Sequence, residues 1–171
     1  MQKSFHSLRG DNGFTDLLGG GRVPKYDPRI EACGVLDEAV AALGLARSLC
    51  EDEHVKAIIL DVQKDLYRIC SELVAPPDYK ENLHRITESD VERLENITNE
   101  LLKYKPSPRN FIIPGKNLKS ATLHLARTIV RRAESKIYKI IHDGIVENKE
   151  IGAYLNRLSY LLFILAYIEE E

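Results

Sequence analysis

From residue 28 onward, apolar side chains recur every three or four positions, and the breaks fall where helices would end. Ile30, Leu36, Val40, Leu43 and Leu49 predict a first helix to about Cys50, capped by Asp27 with Pro28 at its first position. Val55, Ile58, Ile59, Val62, Leu66, Ile69 and Leu73 form the stripe of a second helix, from about Asp52 to Ala75. Pro76-Pro77 ends it, because proline disfavours helix before it and donates no ladder bond. Thr87-Glu-Ser-Asp90 resembles a capping box and opens a third helix carrying Val91, Leu94, Ile97 and Leu101, which Lys105-Pro-Ser-Pro108 breaks. A short extended piece, Phe111 to Gly115, leads into a fourth helix from about Asn117 to His142, stopped by Asp143-Gly144. Ile151, Leu155, Leu158, Leu162 and Leu165 mark a fifth, from about Glu150 to Ile168. Five helices of about 17 to 26 residues with short connections predict an all-α, up-down five-helix bundle. No strand alternation survives beyond a few residues, and no internal repeat is present.

The 171 residues suit one domain: a glycine-rich N-terminal segment, 1–27, and the helical bundle, 28–171. A net charge of −2 gives no global positive field to recruit nucleic acid, so any anion site has to be a local cluster. Cys33, Cys50 and Cys70 are an odd number without CxxC spacing, each inside an apolar helical pattern, which predicts reduced, buried thiols in a cytosolic protein. The start, Met1-Gln-Lys-Ser-Phe5, has no apolar signal segment. The longest apolar run, Tyr160 to Tyr167, is short of the roughly 20 residues that span a bilayer. A soluble, cytoplasmic protein with no membrane partner is expected.

Three stretches depart from plain core patterning. Arg9 to Lys25, RGDNGFTDLLGGGRVPK, holds five glycines in seventeen residues with a basic residue at each end. It suits either a tail or a backbone cradle for an anion. In the fourth helix, His124, Arg127, Arg131 and Glu134 are spaced 3, 4 and 3 and fall on one polar line. That line suits a solvated ladder or a polyphosphate clamp, since the planar arginine fork takes phosphate oxygens in pairs. In the fifth helix, Asn156 and Arg157 are embedded in an apolar stretch, as core hydrogen-bonding residues or as groups facing a pocket. Glu51-Asp-Glu-His54 and Glu81-Asn-Leu-His84 match the Glu-x-x-His spacing of di-iron bundles but lie at helix starts or in loops. No P-loop or dinucleotide fingerprint is present.

Four blocks in order resemble the ATP:cob(I)alamin adenosyltransferases of the PduO type. They are Gly10-Asp-Asn-Gly-Phe-Thr15 through Gly21-Arg-Val-Pro-Lys25 to Arg29, continuing as Glu31-Ala-Cys-Gly34 and Asp37-Glu38; Phe111-Ile-Ile-Pro-Gly115; His124-Leu-Ala-Arg127 with Arg131-Arg-Ala-Glu134; and Tyr154-Leu-Asn-Arg-Leu-Ser159. The resemblance spans nearly the whole chain. It implies transfer of the 5′-deoxyadenosyl group of ATP to the cobalt of cob(I)alamin by a homotrimer with active sites between subunits, and makes residues 1–27 a nucleotide-binding segment. Ser7, Arg9, Gly10, Thr15, Lys25, Arg131, Arg132 and Asn156 are the ATP-binding residues it implies. The resemblance further implies that Asp37 and Arg127 pair across the interface, that Glu134 orients the arginines or a Mg²⁺ that accompanies ATP, and that Phe111 presses near the corrin. Arg131, Glu134, Arg127 and Asp37 form the catalytic set. A corrinoid reductase or an adenosylcobalamin-dependent enzyme is the implied partner.

Three positions depart from the family pattern: Leu8 stands where a lysine is usual, Ser135 where an arginine is, and Tyr160 where an aspartate is. A non-catalytic paralogue that binds ATP or a corrinoid as carrier or sensor is the alternative reading, and a purely interacting bundle a third. Cob(I)alamin is itself the nucleophile, so the protein's task is positioning and stabilising the triphosphate leaving group, for which arginine, lysine and Mg²⁺ suffice.

Overall fold

The computed structural model describes residues 8–76, 79 and 83–170. Its five helices are α1 (Pro28–Leu49), α2 (Glu53–Val74), α3 (Glu88–Tyr104), α4 (Leu118–His142) and α5 (Glu150–Ile168). The caps predicted at Asp27 and Thr87 form, and Asp52 and Asn117 cap two further helices. Asp27 accepts from Arg29 N, Asp52 from His54 N and Val55 N, and Asn117 from Ser120 N, while Thr87 and Asp90 close the capping box. Past α4, Ile145 N donates to Ile140 O and Gly144 N to Ile141 O, the paired bonds of a Schellman end.

α1 packs on α2 and α4, α4 on α5, and α5 on α3. Two ion pairs, Arg132–Glu38 and Lys136–Glu31, set α1 antiparallel to α4. α5 is the core helix: Leu155, Leu158, Leu161, Leu162 and Leu165 are fully buried. Its mean hydropathy of 1.4 over a membrane-spanning length follows from that central place, where α3 and α4 cover it. A buried charged cluster holds α3. Asp65 accepts from Tyr154 Oη at 2.7 Å and from Arg68 at 2.7 Å and pairs with Arg93, while Arg68 also reaches Asp90 at 2.9 Å.

The one departure from the predicted architecture lies ahead of α1. After a short 3-10 turn, Leu8–Gly10, strands β1 (Phe14–Asp16) and β2 (Arg22–Pro24) pair antiparallel, Phe14 facing Pro24 and Asp16 facing Arg22. Three-residue strands are too short to show alternation, and what makes the hairpin is Gly19-Gly20-Gly21, all at positive φ, which reverses the chain and lets Leu17 N bond Gly21 O at 3.0 Å.

Candidate functional site

The polar line of α4 is graded in depth. His124 is buried, Arg127 and Glu134 are half-buried, and Arg131 is exposed. Arg127 turns its Nε inward, where it meets no acceptor among the described residues. Facing it, α5 presents Asn156, Arg157, Tyr160 and Phe163, and these line a cavity of about 500 Å³ with Arg127 and Arg131. A second cavity of about 720 Å³ shares Arg127 and Phe163 and is lined also by His124 and by the loop carrying Phe111. Tyr160 stacks on Phe163, 6.4 Å between centroids at 18°. The site is thus a groove in which arginines and aromatic rings share the walls of both cavities.

The charges are arranged for an anion. Burial, and then the charge of Arg131, pushes the pKa of Arg127 below the ordinary arginine value. Among the described residues neither Arg127 nor Arg131 has a carboxylate partner. Two like charges one turn apart on α4 repel, so an anion between them relieves a cost the empty groove carries. Arg132, next in sequence, points elsewhere and pairs with Glu38 of α1.

Asn156 is held from both sides. Its Nδ2 donates to Glu134 Oε1 at 2.9 Å, and its Oδ1 accepts from Arg157 Nη1 at 2.8 Å. Arg157 is anchored in turn by Glu95 of α3 through a 2.5 Å bond. This chain fixes the amide's rotamer on the cavity wall.

The glycine-rich segment is also ordered by its own contacts. Arg22 is its hub: Nη2 donates to Arg9 O at 2.6 Å and to Asn12 Oδ1 at 3.3 Å, and Nε pairs with Asp16 at 3.2 Å. Lys25 N donates to Gly13 O at 2.9 Å, and Lys25 Nζ lies over Gly10, where a Cβ would come within 3.3 Å of it. Thr15 is half-buried at the centre of β1, and Arg9 reaches Asp16 at 3.4 Å. Leu18 N bonds Val74 O, seating the hairpin against the end of α2.

The predicted residues therefore form two groups. Arg127, Arg131, Glu134, Asn156 and Phe111 share the α4–α5 groove or its rim. Arg9, Gly10, Thr15 and Lys25 share the hairpin, which among the described residues makes no packing contact with α4 or α5. Asp37 is exposed on α1 and does not pair with Arg127 within the chain. Ser7 lies outside the described residues, as do Glu81 of the second Glu-x-x-His stretch and the side chain of Leu8. Sequence reasoning missed Phe163 and Arg22, and named Tyr160 only as a departure. The arginine–phenylalanine spacing across α4 and α5 offers no signal before the helices are paired.

No cluster of three His, Cys, Asp or Glu side chains able to hold a metal occurs among the described residues. Glu134 alone cannot cage a Mg²⁺, which prefers several oxygen ligands and commonly arrives on substrate phosphates.

The cobalamin adenosyltransferase family model matches residues 6–169. A corrinoid adenosyltransferase of Citrobacter freundii is 38% identical over 166 residues, covering 96% of this chain and 94% of the relative. One of Mycobacterium leprae (strain TN) is 36% identical over 173 residues, covering 95% and 89%. Among solved structures, a phenylalanine-to-alanine variant of the PduO-type ATP:corrinoid adenosyltransferase from Lactobacillus reuteri, complexed with cobalamin and ATP, superposes with a TM-score of 0.87 at 28% identity, covering 97% of this chain and 95% of that one. An arginine-to-lysine variant of the same enzyme complexed with ATP also gives 0.87, at 27% identity, covering 97% and 94%. With the four motif blocks in place and the same fold throughout, the chain belongs to the cobalamin adenosyltransferase family.

Proposed function

We propose that the protein transfers the 5′-deoxyadenosyl group of ATP to the cobalt of cob(I)alamin, giving adenosylcobalamin and triphosphate. The observation that carries this is the convergence of Arg127, Arg131 and Asn156 on one cavity that opens, through Arg127 and Phe163, into the cavity beside Phe111. A triphosphate suits the first and a flat apolar macrocycle the second, which brings a nucleotide's C5′ towards a corrin's cobalt.

In the reaction the cobalt lone pair forms the Co–C5′ bond as the C5′–O bond breaks, and triphosphate leaves with the electron pair. No proton moves, so no acid or base is required. Arg127 and Arg131 neutralise the growing charge on the leaving group, and Mg²⁺ enters with ATP as part of the substrate. Asn156, immobilised by Glu134 and Arg157, orients the nucleotide. Arg132 joins the phosphate site by exchanging Glu38 for an anion. Phe111, wholly exposed on its loop, covers the corrin and keeps ligands from its lower face.

The protein works as a homotrimer, in which the Gly10–Lys25 hairpin of one subunit completes the groove of the next. Three features of the single chain support this reading: the hairpin stands apart from the groove, Asp37 and Arg127 are unpaired with each other, and apolar side chains are bare on α1 and α4. The register that pairs Glu38 with Arg132 sets Leu45 level with Leu125, and both are 52% exposed. A second copy is their cover. Residues 1–27 act as the nucleotide-binding segment and 28–171 as the bundle. The three free cysteines suit a reducing cytoplasm, where a corrinoid reductase supplies cob(I)alamin and an adenosylcobalamin-dependent enzyme takes the product. Purified protein mixed with MgATP and chemically reduced cobalamin tests the reading: the adenosylcobalamin spectrum should develop with release of triphosphate, and ATP binding without product would refute it.

A further inference from the structure

Of the four residues on the α4 line, His124 is the one enclosed. It is 3% exposed, and among the described residues neither Nδ1 nor Nε2 meets a hydrogen-bonding atom. Its ring stands edge-on to Phe163, 6.1 Å away at 61°, and it lines the 720 Å³ cavity beside Phe111 and Arg127. A histidine kept only for packing pairs at least one nitrogen, since buried polar groups that find no partner carry their full desolvation cost. Burial first, and the charge of Arg127 second, push its pKa below the ordinary histidine value, outweighing the opposite pull of Glu170. Burial thus favours the uncharged ring, which has one N–H to donate and one bare nitrogen to accept.

That pair of functions selects a partner. A phosphate offers acceptors only and is better served by Arg127 and Arg131. A carboxamide offers a donor and an acceptor without charge, which matches a neutral imidazole beside Phe163 in a cavity of mixed polar and apolar lining. The rim of a corrin carries several such amide arms. We propose that His124 is a corrinoid-binding residue, whose imidazole hydrogen-bonds a peripheral carboxamide of the macrocycle as it seats beside Phe111 and Phe163. The proposal rests on the adenosyl-transfer reading and adds to it a polar contact that fixes the rotation of the corrin about the cobalt.

The test uses the full chain and its variants His124→Leu and His124→Gln, with dissociation constants measured for cob(II)alamin in the presence of MgATP. KM is measured for ATP, and the unfolding temperature for the unliganded protein. His124→Leu should unfold at the same or a higher temperature, because it removes two unpaired polar atoms. It should bind cob(II)alamin about tenfold more weakly, a factor equal to about 1.4 kcal/mol, with KM for ATP within about twofold of wild type. His124→Gln, which restores a donor and an acceptor, should recover most of that loss. Cobinamide, which keeps the amide arms and lacks the nucleotide loop, should show the same tenfold effect.

Unchanged cob(II)alamin affinity in His124→Leu would make His124 a packing residue and overturn the proposal. An equal loss for ATP would place it on the nucleotide and overturn it too. If His124→Leu does not fold, His124→Ala takes its place in the same assays. A wild-type protein that binds no corrinoid defeats the adenosyl-transfer reading as well, whereas a competent wild type beside an indifferent variant defeats this proposal alone.

Discussion

Asn156 Nδ2 donates to Glu134 Oε1 at 2.9 Å, so a residue of α5 is held in place by one of α4 across the wall of the groove. Glu134→Ala removes that hold and leaves the amide one anchor, Arg157. The variant should raise KM for ATP about tenfold, since one hydrogen bond to a charged acceptor is worth about 1.5 kcal/mol. Asn156→Ala should cost as much, and the double variant little more than either single one. Steady-state kinetics on the double-mutant cycle read this out, and additive losses would separate the two residues.

Arg131 is exposed and has no carboxylate partner among the described residues, while its neighbour Arg132 is paired with Glu38. Arg131→Ala should therefore lower kcat/KM by about 10²–10³-fold while the unfolding temperature moves by no more than about 2 °C. Arg132→Ala should lower kcat/KM less, because its guanidinium is shared with Glu38. A wild-type rate in Arg131→Ala would reduce the line to a solvated face.

Gly13 has φ 80°, and a Cβ there would meet no atom within 4 Å, so an alanine would be opposed by backbone strain alone. Gly13→Ala costs about 1 kcal/mol, confined to the hairpin. The expected outcome is a severalfold higher KM for ATP with an unchanged unfolding temperature, because the hairpin stands outside the bundle core.

Asp90 gives the acid limb of stability. Burial raises its pKa, but hydrogen bonds from Arg68 and then from Thr87 outweigh that and hold it at about 2. A depressed folded pKa contributes stability that is complete above the unfolded value near 4 and is lost as pH falls from about 4 to about 2. Urea denaturation should show about 2 kcal/mol lost over that window on this account. Asp90→Asn should be less stable by about that amount at pH 7 and flatter below pH 4.

The bundle was legible in the sequence because Val55 to Leu73 and Ile151 to Leu165 keep a helical period in fully packed positions, and Asp27, Asp52, Asn117 and Thr87 announce their helix starts. The hairpin was not, since three-residue strands carry no period and the reversal is made by glycines that read equally as a tail. The α4 line read as uniform, yet its exposure depends on what α5 places opposite: Phe163 covers His124, and nothing of that size covers Arg131. Arg131 and Arg132, like Asp37 and Glu38, are neighbours in sequence that point about 100° apart. Only the α1–α4 pairing shows which member of each pair is spent on the other helix.

In the proposed trimer, one active site takes its hairpin and its arginines from different chains. Lys25→Ala and Arg131→Ala subunits, each inactive alone, test it most directly when co-expressed with separate tags and purified as mixed oligomers. In a ring of three, every mixed trimer holds one site in three with both Lys25 and Arg131 intact, so the purified mixed trimers should show about one third of wild-type adenosyl transfer. Activity that stays at the level of the separate variants would contradict the account and place both halves of the site on a single chain.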